Sequence, residues 1–207
     1  MGRSQYAPFA RAGLHQTLVA LAYAVEQHAG QRRTADGAPF ILHPIEVATL
    51  LADVGARDDV VAAGVLHDTI EKTSTEPADL DERFGPRVAA LVVVLSEDPS
   101  ISGYGARKAA LRDQVSQAGD EALMVFAADK LSKARELSLG GRGAPQDPGA
   151  PPFLRRGSKA YRKLTHYRHC AEMLEERLPG SPLVRSLRDE LTQLAQLEPT
   201  QELVGAP

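Results

Sequence analysis

VVAAGVLHDTIEK, residues 60–72, decides how the rest of the chain is read. Its first seven residues are apolar all round, which predicts a helix buried on every side rather than a surface helix with one apolar stripe. His67 and Asp68 end that run, and Glu71 and Lys72 follow one turn later. Ionisable groups thus stand at the edge of a core, where an unpaired carboxylate is costly and a metal ion can hold it.

Two other segments repeat the arrangement. LMVFAA, residues 123–128, is a continuous apolar run followed by Asp129, and PFIL, residues 39–42, precedes His43. Pro44 biases His43 towards an extended conformation and makes a natural first helical residue, placing the imidazole at a helix entrance. Two imidazoles and two carboxylates form a mixed nitrogen and oxygen shell that suits manganese, iron or zinc and leaves room for water and a phosphate. Alone, a His-Asp doublet reads more simply as a helix-end histidine beside an N-capping aspartate. The coincidence of three such segments favours metal. Glu71, at i+4 from His67, then faces the metal as a general base and later acid; without metal it is an ordinary helix-end glutamate. Lys72, at i+4 from Asp68, reads as a surface partner of that residue, as a phosphate-binding cation, or as a residue beyond a helix that stops at Glu71.

Helical periodicity dominates, and no stretch alternates convincingly as a strand. Helices are predicted over residues 14–27, from Pro44 through Val54, and over 58–71, 77–84, 86–95, 104–118, 121–139, 153–178 and 182–197. The Gly- and Pro-rich stretch at 140–152 predicts a surface loop, and 199–207 a frayed tail. The expected fold class is all-α, a single orthogonal helical bundle over residues 1–207. A chain of 207 residues suits one core better than two.

A net charge of −3 gives no basic surplus for non-specific nucleic-acid binding. The one cysteine, Cys170, reads as a small buried apolar residue, and no apolar run approaches the roughly eighteen residues of a membrane span. With no signal-like N-terminus either, a reducing cytoplasm is the expected location. His15 and His28 read as packing or surface residues, and His166 and His169 as part of a solvated face. The basic run RRGSKAYRK, residues 155–163, reads as a helix surface that becomes a funnel for an anionic substrate. The amphipathic stretch at 186–198 offers a face for a homo-oligomer contact.

Three segments, GQRRTADGAPFILHPIEVATLL (30–51), AAGVLHDTIEKTSTEPADLDERFGPRVAALV (62–92) and ADKLSKARELSL (128–139), resemble in order and spacing the hydrolase domain of RelA/SpoT proteins and the small alarmone hydrolases. The resemblance covers about residues 14–178. It implies an all-helical HD-superfamily fold that uses manganese(II) to remove the 3′-pyrophosphate of ppGpp or pppGpp, leaving GDP or GTP. Carried across, the metal ligands fall on His43, His67, Asp68 and Asp129, and the water-activating acid pair on Glu71 and Lys72, where the second acid is missing. Arg32, Arg33, Lys108, Lys163 and Tyr167 fall on substrate-binding positions. Lys133 stands where the family usually has an asparagine near the nucleotide, and a lysine cannot accept a hydrogen bond. Some relatives act on adenosine alarmones or NADPH, so the resemblance leaves the base open. With half of the acid pair absent, a nucleotide-binding regulator is the remaining alternative.

Overall fold

The computed structural model describes residues 7–142, 154 and 156–196. A short helix α1 (Ala7–Arg11), not expected from the sequence, buries Phe9 and leads into α2 (His15–Gln27). There follow α3 (Leu42–Asp53), α4 (Asp58–Leu66), α5 (Thr69–Lys72), α6 (Pro77–Phe84), α7 (Pro86–Leu95), α8 (Tyr104–Ser116), α9 (Asp120–Arg142), α10 (Lys159–Arg177) and α11 (Pro182–Ala195). Among the described residues the one β-type pairing is an isolated antiparallel bridge between Arg32 and Pro39, which closes the turn before α3. The all-α expectation holds.

The helix predicted to be buried all round is the centre of the bundle. Every residue of α4 from Val60 to Leu66 is buried, and α2, α3, α7 and α9 all pack on it. Gly64 lets α3 come close, because a Cβ there would stand 2.4 Å from Leu51 Cδ1 and 3.3 Å from Val47 Cγ1. Asp58, at the start of α4, also secures α2. Its carboxylate accepts from the Gln16 and Thr17 backbone N–H groups, both at 2.8 Å, and from Thr17 Oγ1 at 2.7 Å. Those N–H groups belong to the first turn of α2 and have no partner within their own helix, so an aspartate from another helix does the work of a local cap. The start of α6 is fixed by a capping box between Glu76 and Asp79, with Pro77 at its first turn.

Three expectations are corrected. The helix expected over 58–71 is interrupted at His67 and Asp68, between α4 and α5. Side chains there take carbonyls that a continuing helix would use: His67 Nδ1 bonds Gly64 O at 2.7 Å and Thr69 Oγ1 bonds Leu66 O at 2.7 Å. His43 is not extended but lies in the first turn of α3, its N–H donating to Phe40 O at 2.9 Å. Pro44 is tolerated behind it because first-turn N–H groups lack an intrahelical partner, and burial of Ile41, His43 and Pro44 outweighs the local preference. The first three residues of the loop expected from 140 are helical instead, since α9 runs on to Arg142. Residues 143–152 and the 199–207 tail lie outside the described residues.

Among the described residues no helix is long and apolar enough to cross a membrane. The apolar stripe of α11, formed by Leu183, Val184, Leu187, Leu191 and Leu194, is buried within this chain, where α11 packs against α9 and α10.

Candidate metal centre and cleft

Four side chains from three parts of the chain meet at one point beneath a cleft. His43 enters from the first turn of α3, His67 and Asp68 from the break after α4, and Asp129 from the buried first half of α9. All four are at most 4 % exposed. His43 Nε2 is 3.2 Å from His67 Nε2 and 3.2 Å from Asp129 Oδ1; Asp68 Oδ2 lies 3.5 Å from His43 Nε2 and 3.4 Å from His67 Nε2. His43, His67 and Asp129 each offer a ligand atom within 4.8 Å of the others.

The hydrogen bonds on the far side of each ring decide what the near nitrogens carry. Gly64 O can only accept, so His67 Nδ1 carries a proton and Nε2 is the nitrogen left to face a metal. His43 Nδ1 lies 2.8 Å from Ser132 Oγ, whose own proton goes to Glu46 Oε2 at 2.9 Å. Ser132 therefore accepts from His43, leaving a lone pair on His43 Nε2. The two Nε2 atoms lie 3.2 Å apart, and a proton on His67 Nε2 can be donated to the lone pair of His43 Nε2. Both nitrogens face Asp68 Oδ2 and Asp129 Oδ1, two buried oxygens that accept no hydrogen bond. Once His67 Nε2 gives up its proton, four donor atoms converge and fit a divalent cation, and the outer bonds are of the kind that orient metal-binding histidines.

The charges of the four groups differ. Burial pushes the His43 imidazole down to about 4. Burial also opposes a proton on His67, but Asp68 and Asp129 overcome it and raise that ring to about 9. Burial opposes ionisation of Asp68 and Asp129 too; Lys133 and His67 beside the first, and Lys130 and Lys133 beside the second, hold both carboxyls well below the usual range. Two carboxylates held ionised beside two imidazoles offer negative charge and nitrogen donors to a cation, which would displace the proton on His67.

Above this centre lies a cleft of about 600 Å³. Its lining contains every substrate and acid-pair position expected from the sequence: Arg32, Arg33, Glu71, Lys72, Lys108, Lys163 and Tyr167. Lys130 and Lys133 line it as well, and Glu136 joins Glu71 as the second carboxylate, so seven lysines and arginines face two acids. Such a cleft concentrates an anionic ligand. Arg32 and Arg33 are braced within their own turn, Arg32 Nη1 on Gly37 O at 2.9 Å and Arg33 Nε on Asp36 Oδ1 at 3.1 Å. Lys108 pairs with Glu97, and burial lowers the pKa of both Lys108 and Lys163. Burial raises that of the Tyr167 phenol, keeping its proton in place for donation.

Glu71 and Lys72 behave unlike the buried four. Both are exposed on the four-residue α5. Glu71 Oε1 accepts the Glu97 backbone N–H at 2.8 Å. Lys72 belongs to α5, so the helix does not stop at Glu71; its Nζ is 3.7 Å from Asp68 Oδ1 and 5.4 Å above the Phe40 ring.

Several site residues escaped the sequence reading. Ser132 and Glu46 lie one helical turn beyond Asp129 and His43, a spacing that could have flagged them. Lys130 is buried beside its neighbour Asp129, with Nζ 2.6 Å from Oδ2 and 4.3 Å from the Phe126 ring centroid. His166 is buried rather than solvated. Arg112 donates to its Nδ1 at 3.1 Å, and burial with nearby Lys130 and Lys108 pushes it down to about 2, so the ring stays neutral at the cleft wall. Of the basic run, Lys163 reaches the cleft, Lys159 and Arg162 do not line it, and Arg155 lies outside the described residues.

A helical bundle carrying a His, His-Asp and Asp centre defines a class, and the chain belongs to the HD domain family, whose model matches residues 20–144. Within that class it is similar to the guanosine-3′,5′-bis(diphosphate) 3′-pyrophosphohydrolase MESH1 of Homo sapiens, 35% identical over 126 residues, covering 59% of this chain and 70% of that protein. It is also similar to the guanosine-3′,5′-bis(diphosphate) 3′-pyrophosphohydrolase of Aquifex aeolicus, 46% identical over 70 residues, 34% of this chain. The chain spans only 10% of the length of that relative. A solved structure described as a metazoan ortholog of SpoT that hydrolyzes ppGpp superimposes with a TM-score of 0.73 at 24% identity, over 89% of this chain and 97% of that one, a likeness of fold.

Proposed function

We propose that this chain, as one HD-type domain, hydrolyses the 3′-pyrophosphate of guanosine alarmones of the ppGpp and pppGpp type, releasing pyrophosphate and GDP or GTP. The observation that carries the proposal is a buried centre of two histidines and two aspartates directly beneath a cleft lined by seven cationic side chains. The relatives' activity and the fold support it.

His43 and His67, through Nε2, and Asp68 and Asp129, through their carboxylates, would hold the metal, manganese in this proposal, with iron or zinc compatible with the same donors. Bound there, a divalent ion supplies a Lewis acid that activates water near neutral pH and polarises a phosphate oxygen. The remaining work falls to the chain's own side chains. Glu71, with Oε1 held by the Glu97 N–H, keeps Oε2 to take a proton from the attacking water. That proton is then returned to the 3′ oxygen as its bond to phosphorus breaks. Lys108 and Lys163 neutralise charge gathering on the departing pyrophosphate, and Tyr167 donates its phenolic hydrogen. Arg32 and Arg33 hold the nucleotide end. Cys170, a single buried free thiol, accords with a reducing cytoplasm as the place of action.

A second reading keeps this chemistry and changes the substrate to (p)ppApp, NADPH or another nucleotide. Its support is Lys133, a cation in the cleft where the resemblance expects a neutral amide. The third, a nucleotide-binding regulator, rests on Lys72 in the acid pair. The experiment is incubation of metal-stripped protein with manganese and a panel of guanosine and adenosine alarmones and NADPH, with products weighed by mass spectrometry. Pyrophosphate and GDP from ppGpp are expected. Turnover of NADPH or the adenosine compounds alone would select the second reading, and tight binding without turnover under any metal the third.

A further inference from the structure

The four residues of the metal centre do not themselves line the cleft, but Lys133 does, and its ammonium lies between the two. Lys133 Nζ is 2.8 Å from Asp129 Oδ1 and 3.6 Å from Asp68 Oδ2. These are the same two oxygens that face the Nε2 atoms of His43 and His67. At 2.8 Å the ammonium is a direct ion-pair partner of Asp129, and at 3.6 Å a more distant one of Asp68. The residue is an electrostatic partner of both carboxylates, with a side chain 24% exposed on a flexible four-carbon stem.

A divalent ion that takes up those oxygens puts a second positive charge beside the ammonium and removes the reason for it to stay. Asp129 keeps Lys130 on its other oxygen, and Asp68 keeps Lys72 within 3.7 Å of its own, so neither carboxylate needs Lys133 once the ion is bound. We propose that Lys133 is a resident counter-ion of the metal centre: its ammonium neutralises Asp68 and Asp129 in the metal-free protein and competes with the metal for them. When the metal enters, the ammonium moves out into the cleft and joins Lys108 and Lys163 as an anion-binding group. Metal loading and the positive charge offered to substrate are thereby linked through one side chain. By reciprocity, an anion that draws Lys133 outward favours metal binding.

This inference rests on the metal reading of the site and not on the identity of the substrate, so its test uses manganese alone. Metal-stripped wild type and the variants Lys133→Asn, Lys133→Met and Lys133→Arg are titrated with Mn2+ by calorimetry, and their melting temperatures are measured with and without the ion. Lys133→Asn and Lys133→Met are expected to bind Mn2+ about tenfold tighter or more, and to melt below wild type when metal-free. The melting gap should close or reverse with Mn2+ present, and Lys133→Arg should keep wild-type affinity. The Met variant keeps an apolar stem in case the Asn variant is poorly folded. Unchanged or weaker Mn2+ binding by both neutral variants overturns the inference, even if their metal-free forms melt lower, because Lys133 would then be structural only. Failure of any form to bind Mn2+ would overturn the metal reading itself, and absence of alarmone turnover would leave this inference standing.

Discussion

At the floor of the cleft, His43 and His67 are sealed from water and each is fixed by a hydrogen bond to its outer nitrogen; at the rim, Glu71 and Lys72 stand exposed on a helix of four residues. The floor draws on three segments far apart in sequence, set by the packing of α3, α4 and α9. The rim draws on one short turn whose anchors are the Glu71 contact with the Glu97 backbone and the Gln31 side-chain bond to Lys72 O at 2.8 Å. The difference teaches where this chain can vary. A side chain at the floor is held by its surroundings on every side, whereas a rim residue such as Lys72 can change charge without disturbing the core.

The largest effect expected from breaking the floor is complete. His67→Ala or Asp68→Ala should reduce pyrophosphate release to the level of chelator-treated protein, measured with ppGpp as substrate; retained activity would mean that the centre is not the reactive one. Next come the residues that orient the rings. Ser132→Ala leaves His43 Nδ1 without its acceptor and should cost about 10–100-fold in Mn2+ affinity or activity. Calorimetry separates that from a simple loss of stability. At the rim, Lys72→Ala should raise KM about tenfold with kcat little changed, the loss expected of one charge-assisted contact to phosphate. Lys72→Asp sharpens the comparison: a fall in substrate affinity fits a cation that grips phosphate, and a rise in kcat would show instead that the chain lacks a second acid. The smallest effect is that of salt. Raising ionic strength from ~0.05 to ~0.5 M should raise KM several-fold while leaving Mn2+ affinity less affected, because exposed charges are screened more than buried ones.

The floor was legible in the sequence because its signal is burial: apolar runs at 39–42, 60–66 and 123–128 each end in His or Asp, and that pattern survives without knowledge of the fold. The backbone at those ends was not legible. The rule that a residue before proline is extended is local, and at His43 the packing of Ile41 and Pro44 prevails. The break after Leu66 comes from side-chain bonds to Gly64 O and Leu66 O, which helical periodicity does not encode. Ser132, Glu46 and Lys130 were missed because their neighbours drew attention as ligands while they read as ordinary helix residues. His166 was missed for another reason: its burial depends on α8, which brings Arg112 to it from 54 residues away.

Gly64 shows how one atom-sized absence is shared between two tasks. Glycine costs a helix interior about 1 kcal/mol relative to alanine, so the most buried helix of the bundle carries its poorest helix former at its third residue from the end. Alanine would gain that propensity and lose more, since its methyl group would be driven into the fully buried Leu51. The carbonyl of the same residue aims His67. Adaptation to heat therefore meets two constraints at this position, because a side chain there presses on Leu51 of α3 while its carbonyl holds the imidazole of His67. Selection for thermal endurance and selection for reactivity would register here as a single pressure.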